Sequence, residues 1–257
     1  MTTTTESAAE LAALLDDAAQ KHEPVPQLTI GLPDLDVDAA YGIQTALIER
    51  RLGRGEQLVG LKLGLTSQAK MAQVGVNEMI WGRLTDAMWV PDGGTVRAGR
   101  FIHPRIEPEV AFLVRDNEIT AVAPALEIID SRYADFKFAL PDVIADNTSA
   151  AAFTVGAWLP VPSGVDNLGV LLEVDGKPVQ IGSTAAIMGD PRRAFAAGVR
   201  LAGRYGVDLA DGWVFLAGAA TAAIPLPVGS LVRAVVQDLG TASVRVEALP
   251  PEPRAVL

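Results

Sequence analysis

Glu107 and Glu109 stand two apart at the head of an apolar run, Val110-Ala-Phe-Leu-Val114. In a β-strand that spacing places both carboxylates on one face. Two like charges on a strand that continues into buried sequence repel each other and resist desolvation unless a cation offsets them. A divalent metal is one reading; a solvated strand face, or an edge marked by Pro108, which lacks a ladder donor, is the other. Glu127, within Pro124-Ala-Leu-Glu-Ile-Ile-Asp130, falls in a second apolar strand. It would complete a facial set of oxygen ligands that leaves positions for water and substrate. Taken alone it is more often an ion-pair partner or a strand-end residue. Asp130 points to the opposite face, toward a pairing with Arg132.

Lys62 lies inside Val59-Gly-Leu-Lys-Leu-Gly-Leu-Thr-Ser67. Burying it is costly unless it meets an anion or serves as an acid or base. Snorkelling to solvent is the alternative. Thr66, Ser67 and their backbone N–H groups can receive a carboxylate. The stretches Asp130–Phe138 and Pro141–Ser149 are dense in polar groups among aromatics, a texture that suits a site wall and a solvated loop equally. Asp86, Asp142, Asp146 and Asn147 are further polar candidates in or near turns.

The rest of the composition narrows the chemistry. With no cysteine and two histidines, disulfides, iron–sulfur clusters, thiolate zinc sites and cysteine nucleophiles are excluded. Any metal is held mainly by oxygen, which favours Mg²⁺, Mn²⁺ or Ca²⁺. A formal net charge of −10 argues against nucleic acid as a partner, since a phosphate backbone calls for a concentrated basic face; it does not argue against a small anion held by one or two local cations. The start, MTTTTESAAE, has neither a basic nor an apolar signal region, and no apolar run reaches membrane-spanning length. A cytoplasmic protein with no membrane partner is the expectation.

The elements that must position these residues are also legible. Ser7 and Glu10 have capping-box spacing and predict a helix over roughly 7–20; a second is expected over about 38–52, stopped by Gly53 and Gly55. Short branched segments then read as strands: Leu58 to Leu63, Ile106 to Val114, Ala125 to Ile129, Leu168 to Val174, Val214 to Ala217, Leu231 to Gln237 and Ala242 to Ala248. Asp175-Gly176 marks a hairpin, and a late helix is expected over about 191–205. The organisation predicted is an N-terminal helical appendage over 1–57 and a β-rich catalytic domain over 58–257, of α+β class. No internal repeat or glycine-rich phosphate fingerprint is present.

Four segments carry a family resemblance: Val59-Gly-Leu-Lys-Leu-Gly-Leu-Thr-Ser-Gln-Ala-Lys-Met-Ala-Gln-Val-Gly-Val76, Ile102-His-Pro-Arg-Ile-Glu-Pro-Glu-Val-Ala-Phe112, Glu127-Ile-Ile-Asp-Ser-Arg-Tyr-Ala-Asp-Phe-Lys-Phe138 and Val143-Ile-Ala-Asp-Asn-Thr-Ser149. They closely resemble the 4-oxalocrotonate decarboxylases, which stand with the 2-hydroxypenta-2,4-dienoate hydratases in the fumarylacetoacetate hydrolase superfamily. The resemblance implies a β-rich domain of mixed sheets and a site for Mg²⁺ or Mn²⁺ on Glu107, Glu109 and Glu127. It implies Lys62 as the catalytic lysine, with Thr66, Ser67 and Ser149 binding substrate. The implied substrate is a small 2-oxo dicarboxylic acid, 2-oxohex-3-enedioate from aromatic meta-cleavage. It would lose CO₂ through a metal-stabilised enolate to give 2-hydroxypenta-2,4-dienoate. Tyr133 and Phe136-Lys137-Phe138, read as the site wall, and Ile102-His-Pro104 favour decarboxylase over hydratase. A homo-oligomer, and a complex with the pathway hydratase, are the partners expected.

The chain also departs from these relatives. Arg115 to Pro124 links the two acidic strands directly, where relatives carry about a dozen more residues with a helix. A link this short threatens to displace Glu127 and motivates a non-catalytic partner subunit as an alternative. Leu216-Ala-Gly-Ala-Ala220 lacks the paired glycines of relatives, and Asp190 stands where they often have histidine.

Overall fold

Ser7 and Glu10 cap the first helix reciprocally. In the computed structural model, which describes residues 7–67 and 79–248, the Ser7 hydroxyl accepts from the Glu10 N–H at 3.3 Å and the Glu10 carboxylate accepts from the Ser7 N–H at 2.7 Å. The helix, α1, runs Ala8–Lys21. After a single turn, α2 at Leu28–Gly31, comes α3 at Val37–Gly53, whose first turn is capped by Asp36. Asp16 of α1 takes Arg50 at 2.9 Å and Arg54 at 2.6 Å from α3. Beneath that clasp Leu11 and Leu15 pack with Tyr41, Leu47 and Ile48, and this cluster is continuous with Leu61, Trp81, Phe112 and Phe215 of the sheet. Among the described residues no helix is long and apolar enough to cross a membrane.

The strands are β1 (Leu58–Gly64), β2 (Ile80–Thr85), β3 (Thr95–Arg97), β4 (Arg105–Arg115), β5 (Glu118–Ile129), β6 (Ala150–Val155), β7 (Gly169–Val174), β8 (Lys177–Ser183), β9 (Val214–Ala219), β10 (Ile224–Pro225), β11 (Leu231–Val236) and β12 (Gly240–Glu247). Helix α4 (Leu140–Ala145) precedes β6 and α5 (Pro191–Gly203) precedes β9. A seven-stranded sheet runs β2-β1-β9-β4-β5-β6, with β10 paired to β4; a five-stranded sheet runs β3-β12-β11-β7-β8. The larger sheet is mixed: β1 and β9 are parallel, while β4 is antiparallel to β9 and β5. It curls until Leu84 of β2 shares an apolar cluster with Ala150 and Phe153 of β6. The two sheets meet through Ile106, Leu126 and Ile128 on one side and Leu172, Val232 and Val244 on the other. This α+β architecture is the one the sequence pattern and resemblance lead to.

The short connection is itself strand. Asp116 and Asn117, both at positive φ, make a two-residue turn of the kind that suits Asp and Asn and matches strand twist. β4 and β5 therefore form one long hairpin. The Asp175-Gly176 turn likewise joins β7 to β8. Four strands are not expected from the sequence, the short Thr95–Arg97 and Ile224–Pro225 and the longer Ile80–Thr85 and Ala150–Val155. Ile80–Thr85 is buried at every position, so it shows no alternation, and β6 begins with three alanines, which have little strand preference.

Gly60 explains itself by contact. A Cβ there would stand 2.0 Å from the Val214 carbonyl oxygen across the parallel β1–β9 pairing, whereas a Cβ at Gly42, exposed within α3, meets nothing within 4 Å. Gly60→Ala should destabilise the fold by about 2–3 kcal/mol through overpacking against backbone. Gly42→Ala should stabilise it by about 0.5–1 kcal/mol through helix propensity. Urea titration of the two variants checks the opposite signs.

Candidate active site

The β4–β5 hairpin sets the acid cluster. Its register pairs Glu107 directly with Glu127 and Glu109 with Ala125, so the three carboxylates share the face opposite Ile106 and Leu126. One oxygen from each lies within 4.8 Å of the others, and Glu109 and Glu127 are wholly buried. The Gly218 N–H donates to Glu109 Oε2 at 2.8 Å. Its φ of +112° and the close approach of the Thr66 side chain leave no room there for a Cβ. Lys62, 2% exposed, projects from β1 into the same interior. Its ammonium lies 3.0 Å from Glu127 Oε1 and donates to the Thr148 carbonyl at 2.9 Å. It has found an anion and does not snorkel.

Burial dominates the electrostatics. It pushes the Glu109 carboxyl well above its ordinary value, reinforced by the charges of Glu127 and Glu107 and opposed by Lys62 and the Gly218 N–H. Burial likewise lifts Glu127 to about 7, with the Lys62 charge opposing and Glu107 adding to the rise. Glu109 Oε1 and Glu127 Oε2 have no hydrogen-bond partner in the interior. Orphaned buried oxygens on converging carboxylates are what a cation would satisfy. An all-oxygen set facing one side with no sulfur or imidazole suits a hard divalent ion.

A cavity of about 780 Å³ opens onto this cluster. Lys62, Glu107, Thr148 and Ser149 line it, with Arg105, Phe136, Lys137 and Phe138 also contributing walls. Arg105 lies on the Glu107 face of β4, two residues on, which in an extended strand is roughly 7 Å. Its guanidinium sits 4.9 Å from the centre of the Phe136 ring and makes no ion pair among the described residues. Lys137 is 74% exposed.

The structure thus brings together Lys62, Glu107, Glu109, Glu127 and Ser149. Thr66 is 2% exposed and packs against Gly218 outside the cavity lining, while Ser67 is half-buried at the end of β1. The segment 68–76 of the first resembling motif lies outside the described residues. The Asp130-Ser149 region divides: Asp142, Asp146, Asn147, Thr148 and Ser149 are buried, whereas Ala134, Asp135, Lys137 and Ala139 are exposed. Two expectations are corrected. Tyr133 points into the core, where its hydroxyl donates to the Asp142 carbonyl at 3.0 Å and burial raises its pKa, so only Phe136, Lys137 and Phe138 face the cavity. The Asp130 carboxylate does not take Arg132; it accepts from the Ile102 and His103 N–H groups at 2.9 and 2.8 Å. Arg132 pairs instead with the Asp146 carboxylate and with the Asp130 carbonyl. Asp86 accepts from the Gln57 N–H away from the site, and Asp190 caps α5. Sequence reading missed Arg105 as a site residue. Its alternation with Glu107 and Glu109 on one strand face was the available signal.

No family model matches the chain. A 4-oxalocrotonate decarboxylase of Pseudomonas sp. is 49% identical over 245 residues, spanning 91% of this chain and 95% of that protein. A 2-keto-4-pentenoate hydratase of Paraburkholderia xenovorans (strain LB400) is 34% identical over 253 residues, spanning 93% of each. The solved structure of 4-oxalocrotonate decarboxylase from Pseudomonas putida G7, complexed with magnesium and adipate, superposes with a TM-score of 0.88 at 34% identity, covering 93% of this chain and 97% of that one. The chain belongs to the 4-oxalocrotonate decarboxylase family, whose relatives include the 2-keto-4-pentenoate hydratases.

Proposed function

We propose that this chain decarboxylates 2-oxohex-3-enedioate to 2-hydroxypenta-2,4-dienoate and CO₂, with Mg²⁺ or Mn²⁺ held by Glu107, Glu109 and Glu127. The observation that carries the reading is a single cavity with an acid cluster and Lys62 at its floor and Arg105 and Lys137 toward its rim. A 2-oxo acid with a second carboxylate is polar at both ends and matches that layout. The magnesium and adipate bound to the Pseudomonas putida G7 decarboxylase support the choice of a divalent ion and of a dicarboxylate.

Glu107, Glu109 and Glu127 would hold such an ion, which would supply a Lewis acid to offset the negative charge that develops on the oxo oxygen. Lys62, fixed between Glu127 and the Thr148 carbonyl, presents its remaining donor beside the bound oxo acid and manages protons there. Ser149 supplies a hydroxyl from the wall. Arg105 selects for the second carboxylate. An exposed guanidinium suits this role, because a buried clamp on the departing group would stabilise the ground state more than the transition state. The short link that motivated a non-catalytic reading forms a hairpin that keeps Glu127 opposite Glu107. The hydratase relatives keep hydration as the second reading.

Purified, metal-loaded protein supplied separately with 2-oxohex-3-enedioate and with 2-hydroxypenta-2,4-dienoate should release CO₂ from the first faster than it hydrates the second. Rapid hydration without CO₂ release would replace the decarboxylase reading by the hydratase one. In the same assay Arg105→Gln should raise KM for the dicarboxylate by about tenfold, the loss of one charge-assisted hydrogen bond. Glu109→Gln should weaken Mg²⁺ binding by at least about tenfold in calorimetric titration while leaving the fold intact; wild-type affinity would remove it from the ligand set.

The raised Glu127 carboxyl gives a pH dependence with a definite sign. In the metal-free fold it titrates at about 7 against an ordinary 4.5, so the folded state binds the proton more tightly than the unfolded chain. Its stabilisation is full below about 4.5 and is lost as pH rises through about 7. Metal-free protein should show a falling melting temperature between pH 5 and pH 8. Saturating Mg²⁺ should oppose that fall, and Glu127→Gln should reduce it while leaving the part that the raised Glu109 carboxyl contributes.

A further inference from the structure

Asn147, Thr148 and Ser149 have φ of 47°, 53° and 56°, three successive non-glycine residues in the left-handed region. Each such residue is strained and persists only where the surroundings over-determine it; for a β-branched residue such as Thr148 the conformation is an outlier. The surroundings here are explicit. The Asn147 amide oxygen accepts from the Arg83 N–H at 2.8 Å and its nitrogen donates to the Arg83 carbonyl at 2.8 Å. The Thr148 hydroxyl donates to the Trp81 carbonyl at 2.8 Å. The Ser149 carbonyl accepts from the Asp130 N–H at 2.9 Å, and Asp146, just upstream, is gripped by Arg132 through both its carboxylate and its carbonyl.

The strands beside the turn are shaped to receive it. A Cβ at Gly82 would stand 2.6 Å from the Asn147 carbonyl oxygen, and one at Gly64 would stand 2.7 Å from the Thr148 methyl. All three turn residues are buried. What the strained backbone delivers is one acceptor, the Thr148 carbonyl, 2.9 Å from Lys62 Nζ.

We propose that this left-handed turn is the positioning element for Lys62, with Asn147 and the Thr148 hydroxyl as the positioning groups. A lysine is a flexible point charge with about 2 kcal/mol of rotamer entropy to restrain, and an acid cluster attracts it without fixing its distance from the substrate. A neutral carbonyl on backbone that cannot move holds the ammonium at the edge of the cluster, facing the cavity. A right-handed turn would continue α4 and send that carbonyl along the helix axis instead. The same turn sets Ser149 into the cavity wall.

The proposal rests on Lys62 acting at the substrate, so Lys62→Met is measured alongside. With metal-loaded protein, Asn147→Ala should lower kcat on the order of 100-fold, the scale of a misplaced catalytic group. Calorimetric Mg²⁺ affinity should stay within about threefold of wild type, because the variant leaves the acid cluster in place. Thr148→Val should act in the same direction and Thr148→Ser, which keeps the hydroxyl, should restore kcat. This pair carries the test if Asn147→Ala fails to fold. A folded Asn147→Ala or Thr148→Val with wild-type kcat overturns the proposal, as does a parallel fall in kcat and Mg²⁺ affinity, which would mark a turn that merely holds the sheet together. If Lys62→Met keeps wild-type turnover, the assignment of Lys62 fails. If Lys62→Met is inactive while both turn variants are active, only the positioning role fails.

Discussion

Three carboxylates and one ammonium share a buried interior, leaving a formal excess of two negative charges among the described residues when all are ionised. No apolar core tolerates that arrangement unaided, because each ion loses its hydration and the like charges repel. One escape is that the carboxyls take up protons, which is the direction in which burial drives Glu109 and Glu127; a second is that a divalent cation replaces the protons. The rest of the site is arranged so that the second escape is available. Lys62 offsets one charge without filling the face on which the oxygens converge, and the Gly218 N–H takes one oxygen of Glu109 while leaving the other directed inward.

Holding that excess in place is a task for registers and not for loops. A hairpin ladder with eleven residues in β4 and twelve in β5 fixes the cross-strand separation of Glu107 and Glu127. A slip of one residue would turn both side chains to the face that packs on the second sheet. The curl of the larger sheet then lets a lysine three strands away reach Glu127. Gly60 permits the close β1–β9 approach, and Gly64 and Gly82 let the strained turn lie against β1 and β2. Glycines in this fold mark places where backbone must come within reach of backbone around the charged interior.

Much of this was legible from residue types and spacing. The two-residue interval of Glu107 and Glu109 gives their shared face directly, while apolar neighbours leave burial of Lys62 open beside snorkelling and Glu127 open as an ion-pair or strand-end residue. What spacing alone does not give is partner identity across the chain. Asp130 and Arg132 are two apart, yet backbone N–H groups of residues 102 and 103 claim the Asp130 carboxylate, and Asp146 claims Arg132. Tyr133 reads as wall from its aromatic neighbours, but the Asp142 carbonyl satisfies its hydroxyl within the core. The left-handed run at 147–149 has no composition cue, since Thr and Ser there defy local preference and tertiary contacts overrule it. The short link looked like a threat to the site because a missing helix is conspicuous, whereas Asp116-Asn117 as a tight turn resolves it.

The presence of both decarboxylases and hydratases among the relatives follows from how the cavity divides. In the proposed reading the floor takes a 2-oxo acid fragment and its developing oxyanion, a demand common to losing CO₂ and to adding water across a diene. Charge stabilisation there cannot distinguish the two reactions, because both place electron density on the same oxygen. On the proposed reading, discrimination comes from groups that meet the far end of the substrate, and the candidates are Arg105 and residues 136–138 of the cavity wall. Arg105 belongs to the same strand face as the acids, so its distance from them is as fixed as the strand itself, while Lys137 and Phe138 sit on a connection with left-handed residues at Asp135 and Phe136. Under the proposed assignment, Arg105, at a distance from the acids set by the strand, and the wall over 136–138 are where a decarboxylase and a hydratase on this scaffold would differ, with the charge balance of the interior common to both.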